Sequence, residues 1–213
     1  MIASLISQKG GVGKSALARV LAVEFSKAGW RVKIADLDVA QGTATKWKAR
    51  RDRAALQPDI AVEKFRTVER ALQEAARFDL LILDGPAHAE KGGLVMARHS
   101  NLVLMPTGYG LDDMEAQVEA AYELEAAGIP SDRIWFVFCR ATGSESEDRE
   151  ARAYLAKARV NMLDAVLPEL PSIRQAHAEG RAASEVPFRT VQGKVTALVQ
   201  AIADRLTTEQ EAA

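Results

Sequence analysis

Short apolar runs alternate with longer helical patterns along this chain. Ile2–Ser7, Arg31–Ala35, Leu80–Leu83, Leu102–Met105 and Ile134–Cys139 have strand length, and a weaker run lies near Met162–Val166. Several of these runs are apolar at consecutive positions rather than every second one. That pattern predicts strands buried on both faces, hence a parallel sheet covered by helices on either side. Ser15–Ala28 is apolar almost all round and predicts a buried helix that stops at Gly29. Val68–Arg77 is a shorter helical stretch. Asp112–Ala127 carries Met114, Val118, Ala121 and Leu124 on one face and ends at Gly128-Ile129-Pro130. Val191, Val195, Leu198, Val199, Ile202 and Leu206 form one stripe on a C-terminal helix. Gly143–Glu147 reads as a polar loop, and Thr207–Ala213 as a frayed tail. No repeat or long linker interrupts the series. The expectation is a single α/β domain over residues 1–206, a three-layer α/β/α fold with a mostly parallel central sheet.

The junction between the first strand and the first helix carries the densest chemistry. It reads Gln8-Lys9-Gly10-Gly11-Val12-Gly13-Lys14-Ser15. Glycines at 10, 11 and 13 let the backbone approach an anion closely, and the helix beginning near Lys14 turns its positive end toward the same point. Lys14 is placed to reach β- and γ-phosphate oxygens, and the Ser15 hydroxyl to ligate Mg²⁺. The strict G-x-x-x-x-G-K-[ST] pattern needs glycine at position 8, where this chain has glutamine. It has instead a second lysine, Lys9.

Two further strand ends bring carboxylates. Asp36-Leu37-Asp38 follows the second strand, and alternation sends both side chains to the same side. One can orient an attacking water while the other organises the metal shell. Leu80-Leu81-Ile82-Leu83-Asp84-Gly85-Pro86 reads as a buried strand delivering one carboxylate to Mg²⁺ or its waters, the Walker B role. Ligands in parallel α/β sheets lie at the carboxyl ends of the strands, so all three carboxylates converge on the glycine-rich loop.

Composition narrows the partners. The net charge of −1 gives no global basic field, so binding to nucleic acid needs a local patch. The single cysteine, Cys139, excludes a disulfide framework and a cysteine-rich metal or iron–sulfur site within one chain. It reads as a buried thiol in a reducing cytosol. No signal peptide is visible, and no apolar run approaches the roughly 20 residues of a membrane span. The expected location is the cytoplasm.

Taken together, these segments resemble the ParA/MinD family of deviant Walker ATPases, members of the P-loop NTPase fold. Lys9-Gly10-Gly11-Val12-Gly13-Lys14-Ser15 matches the signature loop of that family throughout. The resemblance continues through Asp36-Leu37-Asp38, Phe78–Asp84, Ser100–Pro106, Leu111-Asp112 and Ile173–Gly180. It implies ATP and Mg²⁺ as cofactors, with Lys9, Gly10, Gly11, Val12, Gly13, Lys14 and Ser15 around the nucleotide. It also implies Lys9, Lys14 and Asp36 as catalytic residues, and Ser15, Asp84 and Asp38 on the metal. Lys9 would reach across a dimer interface to the partner's phosphates, so that ATP binding favours a homodimer and hydrolysis loosens it. Asp36 would position the water.

Within the family the chain most resembles the small ParA proteins of plasmid and chromosome partition. These bind DNA non-specifically as ATP dimers, and a ParB-like centromere-binding partner stimulates their weak hydrolysis. The implied location is the nucleoid. Candidate DNA contacts are Arg174, Arg181, Arg189 and Lys194, and the denser group Lys46, Lys48, Arg50, Arg51 and Arg53; a solvated surface explains either group equally well. The alternative is a MinD-like membrane-cycling ATPase, but the C-terminal helix runs into Glu209 and Glu211 without a further apolar face. Partition therefore carries the expectation of no membrane contact. A metabolic enzyme on the same loop would need a substrate pocket that no residue pattern announces. An electron carrier of the nitrogenase-reductase type needs two cysteines per subunit and is excluded. The chain departs from the family in three places: Ser15-Ala16 for a pair of hydroxyl residues, Asp38-Val39-Ala40-Gln41 after the aspartates, and Cys139-Arg140 where many relatives have a base-contacting asparagine.

Overall fold

In the computed structural model, which describes residues 1–87 and 90–211, strands and helices alternate as the apolar runs predict. The strands are β1 (Ile2–Ser7), β2 (Val32–Asp36), β3 (Ala61–Lys64), β4 (Leu80–Ala87), β5 (Leu102–Thr107), β6 (Ile134–Ala141), β7 (Asn161–Met162) and β8 (Leu167–Pro168). The helices are α1 (Lys14–Lys27), α2 (Thr43–Arg53), α3 (Val68–Leu72), α4 (Glu90–His99), α5 (Leu111–Ala126), α6 (Glu145–Lys157), α7 (Pro171–Ala178) and α8 (Arg189–Glu211). The sheet order is β3-β2-β4-β1-β5-β6-β7, with β8 paired to β6, and every described pair is parallel.

Each strand side chain alternates between two cores, which is why the strands read as continuous apolar runs. Leu80 and Ile82 join Leu5, Ile34 and the α1 residues Leu17 and Leu21 on one face. Leu81 and Leu83 join Met105, Phe136 and the α5 residues Met114 and Val118 on the other. The result is a three-layer α/β/α arrangement with a parallel central sheet, the P-loop NTPase architecture.

The structure differs from the sequence pattern in five places. Val68–Arg77 divides into α3 and a 3-10 turn at Ala75–Arg77. The Met162–Val166 run is not itself a strand; two-residue strands flank its middle, at Asn161–Met162 and Leu167–Pro168. The polar segment at Gly143 is the start of α6, whose Ser144 side chain accepts from the Glu147 N–H as an N-cap. Helix α2 was not legible as apolar periodicity because only Ala44, Trp47 and Arg51 of its residues are buried. Helix α8 runs without a break to Glu211, past Thr207, and Ala212 and Ala213 lie outside the described residues.

Candidate nucleotide-binding site

The loop between β1 and α1 is held from three sides. The Lys9 N–H donates to Ser7 Oγ at 3.1 Å, which turns the chain at once after the strand. Gln117 of α5 donates through Nε2 to the Ile6 carbonyl at 2.7 Å and accepts from the Gln8 N–H at 3.1 Å. Gly13 stands before α1 with φ +106°, and a Cβ there would lie 2.7 Å from Cys139 Cβ. Backbone conformation and the close approach of β6 both demand glycine at that point.

A cavity of about 220 Å³ opens at the carboxyl ends of the strands. Gly10, Gly11, Gly13, Lys14, Ser15 and Ala16 line it from the loop and α1, Asp38, Gln41 and Thr43 from the segment after β2, and Gly85 and Ala87 from β4. Arg19 of α1 completes the wall. Lys14 is buried and donates to the Lys9 carbonyl at 3.2 Å, curling the loop around its own ammonium. Burial lowers the Lys14 pKa, while Asp84 and Asp38 act to raise it. Lys9 is half-buried and does not line this cavity.

Asp36 and Asp84 face each other in register on adjacent strands, and both are buried. Burial pushes the Asp84 carboxyl up to about 6; Asp36 adds to the rise, while a hydrogen bond from Ser15 and the charges of Arg19 and Lys14 oppose it. Among the described residues, Oδ1 of Asp36 and Oδ1 of Asp84 have no hydrogen-bond partner. Two orphaned, buried carboxylate oxygens beside a serine hydroxyl are a donor set suited to a hard divalent cation. Among the described residues no group of three or more acidic, histidine or cysteine side chains is gathered for a metal.

The two aspartates of the Asp36-Leu37-Asp38 segment are placed differently from their expected roles. Asp36, expected to position water, is fully buried and does not line the cavity. Its Oδ2 accepts from the Thr45 N–H at 2.9 Å and the Thr45 hydroxyl at 2.8 Å. Asp38, expected on the metal, is half-buried, lines the cavity, and through Oδ1 caps the turn at Gln41 at 2.9 Å. The physical reason is strand geometry: Asp36 is still inside the sheet, whereas Asp38 has left it.

A second cavity of about 240 Å³ shares Gly11, Gly13 and Ala16 with the first and extends to Arg140, Pro168, Glu169, Ile173, Arg174 and His177. Arg140 has φ +60°, donates to the Gly11 carbonyl at 3.3 Å, and pairs with Glu169 at 3.4 Å. The loop is thus tied to the end of β6, where the base-contacting position was expected.

The candidate DNA contacts separate sharply. Lys48 pairs with Asp52 and Asp59, Arg50 donates to the His177 carbonyl at 3.2 Å, and Arg51 is fully buried against Glu185 at 2.8 Å. Only Lys46 and Arg53 of that group are exposed with no ion pair among the described residues. Arg174 pairs with Glu169, and Arg181 lies 3.8 Å from Glu179. Arg189 and Lys194 are exposed without an ion pair among the described residues.

Sequence reasoning missed Gln117, Thr45 and Arg19. Gln117 had a signal: it sits three residues after Met114, on the buried stripe of α5. Arg19 had one too, as the only charged residue between Ser15 and Val23. Thr45 had none.

The profile of the CobQ/CobB/MinD/ParA nucleotide-binding domain (CbiA) matches residues 3–183. No curated protein matches the sequence. Many solved structures share the fold, three of them as follows. MinD of Pyrococcus horikoshii OT3 complexed with Mg-ADP is 19% identical with a TM-score of 0.73, covering 94% of this chain and 95% of its own. The ATP complex of a Cyanothece McdA variant is 14% identical with a TM-score of 0.72, covering 95% and 96%. A candidate plasmid partition protein of Borrelia burgdorferi B31 bound to AMPPNP is 14% identical with a TM-score of 0.69, covering 96% and 98%.

Proposed function

The chain belongs to the CobQ/CobB/MinD/ParA family of nucleotide-binding domains, and we propose that it is an ATP-dependent dimerisation switch that hydrolyses ATP and holds DNA cargo non-specifically. The observation that carries this reading is the split between the two loop lysines. Lys14 is buried in its own cavity, whereas Lys9 lines neither that cavity nor its neighbour. A lysine that belongs to the loop yet does not serve its own phosphates suits a partner's phosphates.

Ser15 and Asp84 are the residues to hold Mg²⁺, with Asp36 beside them. The ion would supply charge neutralisation at the β- and γ-oxygens. Lys14 provides the fixed cation of the protomer itself. Asp38, at the cavity wall, is the group to orient an attacking water and accept its proton. Asp36 instead anchors Thr45, and with it the segment that carries Asp38. This exchanges the roles first expected of the two aspartates. Asp38→Ala should bind ATP and accumulate as a dimer, and unchanged turnover in that variant would return the role to Asp36.

Support for partition over a membrane cycle comes from α8. Its stripe of Val191, Val195, Leu198, Ile202 and Leu206 is buried in the core, so it is not available as an amphipathic anchor. Among the described residues no helix is long and apolar enough to cross a membrane. Exposed Arg189 and Lys194 are the best-placed DNA contacts, with Lys46 and Arg53 as a second pair. A ParB-like partner would stimulate hydrolysis, and the protein would reside in the cytoplasm on the nucleoid. The test is retention on random-sequence DNA with ATP, with ADP and without nucleotide, beside sizing in the same states. ATP-specific, salt-sensitive DNA binding by a dimer is expected. Equal retention with ATP and ADP, or vesicle binding in its place, would sink the partition reading.

A further inference from the structure

Arg19 is a buried cation without a counter-ion among the described residues. It lies on α1 four residues after Ser15, so the two share one helix face. Its side chain reaches the wall of the phosphate-loop cavity beside Asp38, Gln41 and Thr43. Only 4% of its surface is exposed. Nη2 donates to the Thr43 carbonyl at 3.0 Å, and the guanidinium lies 5.7 Å from the Trp47 ring. Nε is buried and has no hydrogen-bond partner among the described residues. Among the described residues no carboxylate stands within ion-pair distance of it; Asp84 and Asp36 act on it from further away. Arg50 and burial act in the opposite direction. His177 lies close enough to feel both arginines and has a buried Nε2 without a hydrogen-bond partner among the described residues.

A guanidinium stays charged even when buried, so this site cannot neutralise itself by losing a proton. Burying a charge without an ion partner is unfavourable in the empty protein. Such a group persists where a ligand supplies the missing negative charge. The open volume next to Arg19 is the phosphate cavity, and the same guanidinium holds Thr43, the first residue of α2. Two residues on, Thr45 fixes Asp36; five residues back, Asp38 faces the cavity.

We propose that Arg19 is a binding residue that senses the terminal phosphate of a nucleoside triphosphate and couples it, through Thr43, to the segment carrying Asp38 and Thr45. This rests on the nucleotide-binding reading above. A diphosphate leaves the far end of the cavity without the added anion, so Arg19 has little to compensate. The arginine thus distinguishes triphosphate from diphosphate within one subunit, independently of the lysine proposed to act across the dimer.

The experiment compares wild type, Arg19→Met and Arg19→Lys by thermal unfolding and by equilibrium binding of ATPγS and ADP, each with Mg²⁺. Removing an unpaired buried cation should leave the nucleotide-free protein melting no lower than wild type. In Arg19→Met, ATPγS affinity should fall at least ~10-fold and ADP affinity less than ~3-fold, as expected for loss of one charge-assisted contact made to only one ligand. Arg19→Lys, which keeps the charge but not the planar fork, should fall between. Equal weakening of both nucleotides, no weakening, or a nucleotide-free Arg19→Met that melts lower or fails to fold would each overturn the inference, because each makes Arg19 a structural residue. If wild type binds ADP and ATPγS with equal affinity, the inference fails while the nucleotide site stands. If wild type binds neither, the nucleotide reading itself fails.

Discussion

Lys14 in the phosphate loop and Arg51 in α2 are both buried cations. Lys14 bonds one backbone carbonyl and otherwise borders open cavity. Arg51 is bonded on all three nitrogens: to Glu185 at 2.8 and 3.1 Å, to the Gly180 carbonyl at 3.2 Å, and to the Pro58 carbonyl at 3.1 Å. Its guanidinium also stacks 5.4 Å from the Trp47 ring. One region leaves its charge for a ligand, and the other spends its charge on the fold. Charge density along the chain does not separate these cases. The partners of Arg51 come from nearby Pro58 and from residues 180–185, remote in sequence, and they convert an apparent basic patch into a strut between α2 and the segment after α7.

The contrast can be broken from either side. Arg51→Ala should cost about 3–5 kcal/mol of stability, because it strands Glu185 as well as removing the cation. Urea unfolding would measure this, and a loss below ~1 kcal/mol would mean that Arg51 is not a strut. Lys14→Ala should do the reverse: ATP turnover down by ~10²–10³, with urea stability of the empty protein little changed. A large stability loss there would place Lys14 in the same class as Arg51.

Gly180 sharpens the comparison. It has φ +82°, and a Cβ would lie 2.3 Å from the Arg51 nitrogen and 2.6 Å from its Cα. Gly180→Ala forces backbone apart from backbone and should destabilise by about 1–3 kcal/mol in thermal or urea unfolding. Neutral behaviour would show that α2 is not seated on this segment.

His177 tests the same junction by pH. Burial, with Arg19 and Arg50 nearby, holds its imidazole down at about 3. The unfolded chain takes up a proton near pH 6.5 and the folded chain does not, so this group's contribution is complete above 6.5 and is lost as pH falls toward 3. The loss by pH 5 should reach about 2 kcal/mol at most. His177→Gln should flatten the stability profile over that interval, and an unchanged slope would exclude His177 as its source. Smallest of all, Lys46→Ala with Arg53→Ala should leave stability within ~0.5 kcal/mol, as for exposed residues outside special features. If that double variant retains full ATP-dependent DNA binding, the contacts fall to Arg189 and Lys194.

Most of the sheet was legible because buried parallel strands leave consecutive apolar residues, and β1, β2, β4, β5 and β6 all do. The pattern failed where burial was partial. Strand β3 is half exposed at the sheet edge, and α2 buries mainly arginine and tryptophan, which no apolar count registers. The site divided in the same way. The loop from Lys9 to Ser15 is contiguous, so its spacing alone announces a phosphate cradle. Gln117 and Thr45 reach that cradle from other elements and Arg19 from further along α1, and what each of them bonds depends on distances that spacing does not carry.

The sequence by itself determined the layered α/β fold, the phosphate loop and the family, because each rests on local periodicity or on residues adjacent in the chain. Only the tertiary structure decided which charges are available. It buried Arg51 in a complete set of partners, left Arg19 beside the cavity without a counter-ion among the described residues, and put Asp36 inside the sheet while Asp38 stands at the cavity wall. The reason is that the cost and use of a charge depend on what surrounds it in space, and those surroundings are assembled from separate segments, 24 residues apart for Arg19 and Thr43 and 134 for Arg51 and Glu185.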